Sequence, residues 1–422
     1  MRPMSRDRLT AILMITPSII LLAIFVYGFI GKTIYSSLTD WGNPDPQKKA
    51  ILEVPPDQQP PDTTITVNGV TQSLADYRAS HNNCDTTAPL SDKACVDFVG
   101  LKNYTELFTS AFPGIRFRDD LVNEIFFTII FLVACLGLGL GMAMLLDQHI
   151  RGEGFFRTVF LFPMALAFVV TGVVWAWLFR PESGLNLLPS TIAHIFDPNV
   201  QIQPVNFGWY TDRTKLFSFT WQQLLIVVGI LILLFMIYVA TTYWFKNRRL
   251  VVYIIAGLGL AGGLFITGSF TIPAGIARES HGLNAALLAI VLAAVWQMSG
   301  YTMAIYLAGL RGIPEELREA ARVDGCTELQ VYQHVILPLL QPITLRAAII
   351  LGHISLKIFD LVYVMAGDNN LLVDVPGVNM YITTFRANNF ALGSAMAIIM
   401  LILVAVIIVP YLATALRKEP SL

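Results

Sequence analysis

Long apolar stretches dominate the sequence and limit what it can fold into. A helix needs about 20 mostly apolar residues to cross the hydrocarbon core of a bilayer. About eight stretches meet this requirement, at roughly 11–33, 123–146, 157–179, 217–244, 250–272, 284–310, 343–366 and 391–416. The sequence therefore predicts an all-α polytopic membrane protein with about eight transmembrane helices.

The composition supports a membrane protein and excludes other classes. Hydrophobic residues make up 55% and charged residues 14% of the chain, against about 45–50% and 25% in soluble domains. The net charge of −1 leaves no basic excess for a nucleic acid. There is no GxxxxGK phosphate loop, and the four cysteines lack the spacing of a metal site. We therefore expect no metal and no cofactor on this chain.

Basic residues in the loops indicate how the chain is oriented. The first stretch follows a basic start, but it is too long for a signal peptide and lacks an A-x-A cleavage pattern, which favours an uncleaved span. Lys and Arg are densest on the side that holds Arg6, Arg151, Arg249 and Arg318. By the positive-inside rule this side is cytoplasmic. We predict a multi-pass protein of the bacterial inner (plasma) membrane with both termini in the cytoplasm.

The chain divides into five parts. They are an N-terminal tail with the first helix (1–34), an extracytoplasmic loop or lobe (35–122), helices two and three with an external segment (123–216), an inserted helical hairpin (217–272), and a core with the last three helices (273–422). The lobe is too long for a simple connection, so we expect it to fold. Cys84 and Cys95 lie in it and are predicted to form a disulfide, the alternative being two free thiols.

A charged segment at about 311–342 separates the sixth and seventh apolar stretches on the cytoplasmic side. Pro314 and the following Glu residues suit a helix start, and Gly325 suits a helix end. Thr327 with a Gln three residues later is a capping-box pattern that starts a second helix. This helix is expected to stop before Pro338, and Pro342 to open the next span. Its predicted apolar side consists of Leu329, Tyr332, Val335 and Ile336.

Such a hairpin is a small amphipathic element at the membrane surface. An apolar side with small alanines favours docking into a groove of a cytoplasmic protein. The alternative is a surface loop without a partner.

The same segment resembles the EAA loop of membrane subunits of bacterial ATP-binding-cassette importers. That pattern is EAA, three residues, Gly, nine residues, Ile, any residue and Leu-Pro. The matching residues here are Glu319, Ala320, Ala321, Gly325, Val335, Leu337 and Pro338, with Val335 in place of Ile. The stretches "FVGLKNYTELF", "FFRTVFLFPMALAFVVTGVVWAWLF" and "LKIFDLVYVMAGDNN" are similar to the sugar-transporting branch, and more narrowly to its maltose and alpha-glucoside permeases.

The resemblance implies a non-catalytic permease subunit of a binding-protein-dependent sugar importer. Its implied partners are a second permease, a dimer of cytoplasmic ATPases that binds ATP and Mg, and an extracytoplasmic sugar-binding protein. The seven matching residues would then couple ATPase closure to alternating access. The family commonly has six spans, so the hairpin at 217–272 and the long lobe depart from its pattern.

Polar residues inside spans are costly and usually face a cavity, so they are candidates for a solute path. The candidates are Trp296, Gln297, Ser299, Tyr301, Ser355, Lys357 and Asp360. Aromatic faces and hydrogen-bonding groups suit a sugar. Lys357 and Asp360 are three residues apart, so we expect an ion pair on one helix face in preference to sugar contact.

Two other functions compete with this interpretation. An ion-gradient-driven secondary transporter would favour paired intramembrane acids and inverted repeats, which the sequence does not display. A membrane-bound enzyme would need a nucleophile near a base, and no segment gathers one. Within the importer class, an alpha-glucoside or related oligosaccharide is the expected substrate, with glycerol-3-phosphate or another polyol as the alternative.

Overall fold

The computed structural model describes residues 6–42, 64–67, 70–80, 96–110, 114–148, 150–182, 184–199, 201–205, 208–209, 215–220, 280–368 and 370–418. The helices are α1 (Arg6–Leu22), α2 (Phe29–Ser37), α3 (Leu74–Ser80), α4 (Lys102–Thr109), α5 (Gly114–Leu146), α6 (Glu153–Leu161), α7 (Phe168–Leu178), α8 (Leu188–Phe196), α9 (Ala285–Arg311), α10 (Glu315–Val323), α11 (Glu328–Val331), α12 (Leu337–Ser355), α13 (Asp360–Ala366), α14 (Pro376–Tyr381) and α15 (Phe390–Lys418). Two antiparallel pairs of strands accompany them, β1 (Thr64–Val67) with β2 (Val70–Ser73) and β3 (Lys215–Thr220) with β4 (Ser280–Asn284).

The predicted class of helical membrane protein is confirmed in this part of the chain. Four helical stretches are long and apolar enough to span a bilayer, namely Met14–Ser37, Gly114–Leu146, Ala285–Arg311 and Glu328–Ser355. A bent pair adds a fifth if it is counted as one span, and α15 is apolar over Phe390–Val406. The first stretch includes a π-helical turn, Ala23–Gly28, between α1 and α2.

The predicted number of eight spans is not confirmed. The inserted hairpin lies outside the described residues from 221 onward. Its predicted start at 217 is wrong, because Phe217 to Thr220 belong to strand β3 and pair with β4. The pairing brings Lys215 and Asn284 together, so β3 and β4 lie side by side next to the start of α9.

The third predicted span is broken. Residues Glu153–Ala165 and Phe168–Leu178 meet at 99°, through a 3₁₀ turn at Phe162–Ala165. Pro163 lies in this turn and lacks the N–H that a continuous helix would need. Gln297 of α9 donates from Nε2 to the Leu166 carbonyl oxygen at 2.7 Å. This contact satisfies one of the backbone groups that the break leaves without a helical partner.

The seventh predicted span begins earlier and ends earlier than expected. A helical stretch runs from Glu328 to Ser355 through Pro338 and Pro342, so the predicted stop before Pro338 is wrong. A π-helical turn at Tyr332–Ile336 precedes Pro338, and such a wider turn relieves the clash of a proline ring with the preceding turn. The chain then leaves the helix after Ser355 and restarts as α13 at Asp360.

Helices α5 and α9 form the centre of the fold. A Cβ atom on Gly139 would lie 2.1 Å from Thr302 Oγ1, so only glycine allows this close approach. Thr302 Oγ1 donates to the Cys135 carbonyl oxygen at 2.7 Å across the same contact. Aromatic residues of α5, Phe127 and Phe131, are buried in the main apolar core against α9 and α13.

The "FVGLKNYTELF" stretch forms hydrogen bonds with the end of α2. Asn103 Nδ2 donates to the carbonyl oxygens of Ser37 and Thr39, at 2.8 and 2.7 Å. Val99 N donates to Leu38 O at 2.8 Å, and the Tyr104 and Ser37 hydroxyls lie 2.7 Å apart. The motif thus connects the predicted lobe to the first span.

Strands β1 and β2 and helix α3 form the middle of the described part of the lobe. Tyr77 of α3 is buried, and its hydroxyl donates to Asp97 Oδ2 at 2.5 Å. Burial and the bond to Asp97 raise the pKa of the Tyr77 phenol well above its usual value. Asp97 N donates to Asp40 Oδ1 at 2.7 Å, which ties the lobe to the residues after α2. Cys84 and Cys95, with their predicted disulfide, lie outside the described residues.

Candidate functional site

The charged segment forms the predicted helical hairpin. Helix α10 ends at Gly325, whose φ of 86° is left-handed. Gly325 N donates to Arg322 O at 3.0 Å and Cys326 N to Ala321 O at 3.0 Å, the bond pattern of a Schellman motif. Thr327 and Gln330 then form the predicted capping box at the start of α11, in which the Thr327 backbone N donates to Gln330 Oε1 at 2.8 Å. Both local signals read from the sequence are therefore confirmed.

Arg322 joins the two helices of the hairpin. Its guanidinium lies 3.2 Å from Glu315 Oε1, at the start of α10, and 2.8 Å from Glu328 Oε1, at the start of α11. The hydrogen bonds that Arg322 donates, first to Glu328 and then to Glu315, raise the pKa of Arg322. These ion pairs connect the first turns of α10 and α11 on the solvent-exposed side of the hairpin.

The hairpin has one face toward its own chain and one exposed face. Ala321 is buried beside Val331, Ile336 and Leu340, and Val335 packs against the same cluster. The other predicted coupling residues are exposed, namely Glu319, Ala320, Gly325, Leu337 and Pro338. Around them lie three exposed apolar side chains, Leu317 (45%), Val323 (87%) and Leu329 (66%).

Two expectations about these faces are wrong. Ala321 was expected to fill a partner's groove together with Ala320, but it packs inside this chain. The predicted apolar side of the second helix is divided: Leu329 is exposed, whereas Ile336 is buried and Tyr332 and Val335 pack against the same cluster of this chain. The reason is that α11 is only one turn long and passes into a π-helical turn, which shifts the facing of the residues that follow.

A buried ion pair connects the hairpin to the end of α5. Arg318 Nη1 donates to Asp147 Oδ2 at 2.9 Å, and Arg318 Nη2 donates to Leu310 O, near the end of α9, at 2.9 Å. The Arg318 and Asp147 side chains are only 12% and 8% exposed. Sequence reasoning missed the pair, because the two residues are 171 positions apart and no local signal connects them.

The substrate-path candidates on α9 lie near the broken span. Trp296 is 36% exposed, and its ring lies 5.8 Å from that of Trp175 in an edge-on arrangement. Gln297 is buried and donates to the Leu166 carbonyl at the break, while its Oε1 has no hydrogen-bond partner among the described residues. Ser299 and Tyr301 are partly buried. These four residues are close in sequence and remain candidates for a solute path.

The three candidates at and after the end of α12 differ from those on α9 in their surroundings. Ser355 is buried and accepts from Thr128 Oγ1 at 3.0 Å, so it joins α12 to α5. Lys357 and Asp360 do not share a helix: Lys357 lies in the turn after α12, and Asp360 begins α13. Both side chains are exposed. No ion pair joins them in the part of the chain that the structure describes, so the expected pairing on one helix face is wrong.

A polar network at the start of α5 was not anticipated. Arg116 Nε donates to Asp374 Oδ2 at 2.6 Å, and Asn123 Nδ2 donates to Asp374 O at 2.9 Å. Asp120 Oδ2 accepts from Asn379 Nδ2 at 2.6 Å. The predicted span begins at 123, which places Arg116 and Asp120 in the predicted lobe. The network lies at the end of α5 opposite to Asp147.

The fold and the hairpin define a class: a polytopic helical membrane protein with a broken span and an exposed, charged helical hairpin between two long helices. Residues 135–418 match the family of binding-protein-dependent transport system inner membrane components. The chain belongs to this family, which confirms the resemblance to importer permeases, non-catalytic transport subunits.

Similar proteins agree with this assignment. A probable ABC transporter permease protein of Pyrococcus horikoshii is 28% identical over 410 residues, covering 97% of this chain and 96% of the relative. The xylose/arabinose import permease protein XacH of Haloferax volcanii is 30% identical over 312 residues, 73% of each chain. The fold resembles the crystal structure of a bacterial ABC transporter involved in the import of the acidic polysaccharide alginate, with a TM-score of 0.53, 14% identity and coverage of 98% and 97%.

Proposed function

We propose that this chain is one of two permease subunits of an ATP-driven, binding-protein-dependent importer of sugars, with an oligosaccharide of the alpha-glucoside or maltose type as substrate. The family match supports the transport role, and the 30% identity to a xylose/arabinose import permease supports a sugar. The sequence motifs described above favour the maltose and alpha-glucoside branch.

The observation that carries the proposal is the exposed hairpin face. Glu319 and Ala320 lie on it together with the exposed apolar residues Leu317, Val323 and Leu329. Exposed apolar side chains around a charged residue are typical of a docking surface. The partner would be a cytoplasmic ATPase dimer that binds ATP and Mg and whose closure moves the hairpin. A ligand or partner can shift a conformational equilibrium only through different contacts with the two states.

Sugar would cross the membrane along α9. Trp296 is an aromatic residue that is 36% exposed, and the buried Gln297 has a side-chain oxygen without a hydrogen-bond partner in the described part of the chain. A sugar needs an aromatic face and hydrogen-bonding partners. Ser299 and Tyr301 are further candidates on the same helix, whereas Ser355 is already engaged by Thr128 and Lys357 and Asp360 are exposed.

Reconstitution tests the proposal. The chain is placed in liposomes with the second permease, the ATPase and the binding protein encoded with it, and ATP hydrolysis and uptake are measured across a panel of sugars. We expect hydrolysis stimulated by one class of oligosaccharide and uptake that stops when the ATPase is inactivated. Uptake that persists with an inactive ATPase, or that an ionophore abolishes, would indicate an ion-driven carrier instead.

A further inference from the structure

Helix α5 reaches from the hairpin to the opposite end of the fold. It has 33 residues, which correspond to about 50 Å at 1.5 Å per residue. Asp147 follows its last turn and contacts Arg318 of the hairpin. Its first turns carry Asp120 and Asn123, which bond to Asn379 and to the Asp374 carbonyl. One rigid element therefore connects the hairpin with the segment between α13 and α15.

Arg318 is the polar connection of α10 to this element. The hairpin is joined covalently to α9 and α12, but α5 is far away in sequence. Arg318 reaches α5 through Asp147 and the end of α9 through the Leu310 carbonyl, each at 2.9 Å. Two exposed arginines nearby serve other purposes: Arg322 pairs with Glu315 and Glu328 within the hairpin, and Arg311 joins α9 to Glu153 at the start of α6.

The chemistry of this contact suits the transmission of movement. A guanidinium holds two acceptors in a fixed geometry, and its charge does not vary with pH. Because both side chains are mostly withdrawn from water, separating them would leave the buried Asp147 carboxylate without this partner, while Arg318 would keep Glu315 of its own helix at 3.8 Å. The hairpin and the end of α5 are therefore expected to move as a unit.

We propose that Arg318 is a positioning residue that fastens the hairpin to Asp147, so that α5 follows the hairpin and carries its movement to residues 374–379. The inference rests on the proposed function, since it assigns the path along which the ATPase would act. It predicts that breaking the pair uncouples hydrolysis from transport while the exposed docking face stays in place.

The experiment compares reconstituted complexes of wild type, Arg318→Gln, Arg318→Lys, Asp147→Asn and the double variant Arg318→Gln with Asp147→Asn. Arg311→Gln is the matched control, because it removes a cytoplasmic arginine whose pair is exposed and does not involve α5. Three quantities are measured for each complex, namely ATPase association, ATP hydrolysis and sugar uptake. Thermal unfolding of each purified permease identifies variants that fail to fold.

We expect both single variants to bind the ATPase as wild type does, with a ratio of uptake to hydrolysis lowered by about twofold to thirtyfold, the range for residues that carry coupling. The double variant should resemble the singles, because the two side chains act as one contact. Arg318→Lys, with one point charge in place of the fork, should recover part of the ratio. Arg311→Gln should match wild type.

Other outcomes would overturn the inference. An unchanged ratio in Arg318→Gln shows that α5 moves without the pair. Additive losses in the double variant show that the two residues act separately. Lost ATPase association shows that Arg318 presents the docking face and transmits nothing. If the wild-type chain itself fails to associate with any ATPase, the proposed function fails, which is a different result.

Discussion

At the scale of single residues, the turn of the hairpin depends on Gly325. Its φ of 86° costs about 1–3 kcal/mol for most other residues, and Asn tolerates it best. A Cβ atom at this position would meet no described residue within 4 Å, so substitution strains the backbone without a clash against the described part of the chain. We expect Gly325→Val to abolish most uptake in a folded permease, whereas Gly325→Asn retains it. Uptake by equal amounts of reconstituted protein measures this, and normal uptake by the valine variant would refute a role for the turn angle.

Glu319 lies on the exposed face of the same hairpin. If it pairs with a basic group of the ATPase, Glu319→Gln weakens association by up to about tenfold, or about 1.4 kcal/mol. Its effect on folding should stay within about 0.5 kcal/mol, since the side chain is exposed. Glu316→Gln is the control, because this exposed glutamate lies on the same helix outside the EAA pattern. Titration of labelled permease with ATPase gives the affinities, and equal weakening in both variants would indicate a general charge effect.

Between helices, the contact of α5 with α9 sets how closely the two can pack. We expect Gly139→Val to destabilise the permease by about 1–3 kcal/mol, the usual cost of overpacking a core. The added Cβ would lie 2.1 Å from Thr302 Oγ1 and 2.9 Å from Met303 N, so backbone would have to shift. Gly141→Val is the matched control on the same helix, because its Cβ meets nothing within 4 Å. Thermal unfolding in detergent distinguishes the two, and equal midpoints would contradict the packing argument.

The contact of Asn103 with the end of α2 is a second contact between elements. Asn103→Ala leaves the carbonyl oxygens of Ser37 and Thr39 without their donor, and Thr39 is buried. An unsatisfied buried acceptor costs about 1–3 kcal/mol. We expect a lower unfolding temperature together with faster proteolysis of the lobe. Asn103→Asp should be no more stable than Asn103→Ala, since a carboxylate cannot donate. An Asn103→Ala variant as stable as wild type would show that these hydrogen bonds are dispensable.

Elements whose bounds depend on local signals could be predicted from the sequence. Helix α9 begins within one residue of the expected start, where Asn284 caps it by accepting from Leu287 N, and Gly325 and Thr327 end and start the hairpin helices as expected. Bounds that depend on distant contacts could not be predicted. The break at residues 162–167 is held by Gln297, and Ser355 ends α12 beside Thr128 of α5. The Arg318–Asp147 pair belongs to the same group.

At the scale of the whole molecule, the docking proposal requires the hairpin to lie on the cytoplasmic side of the membrane. The hairpin and the lobe segment α3 should lie on opposite sides of the bilayer, with the hairpin in the cytoplasm, because basic residues concentrate on its side. Single cysteines at Glu316 and Ser80, both exposed, report on the two sides in a chain whose four native cysteines have been replaced. We expect an impermeant maleimide to label Ser80→Cys in intact cells, and Glu316→Cys only in inside-out vesicles. The reverse pattern would place the hairpin outside, where no cytoplasmic ATPase could reach it, and would remove the basis of the docking proposal.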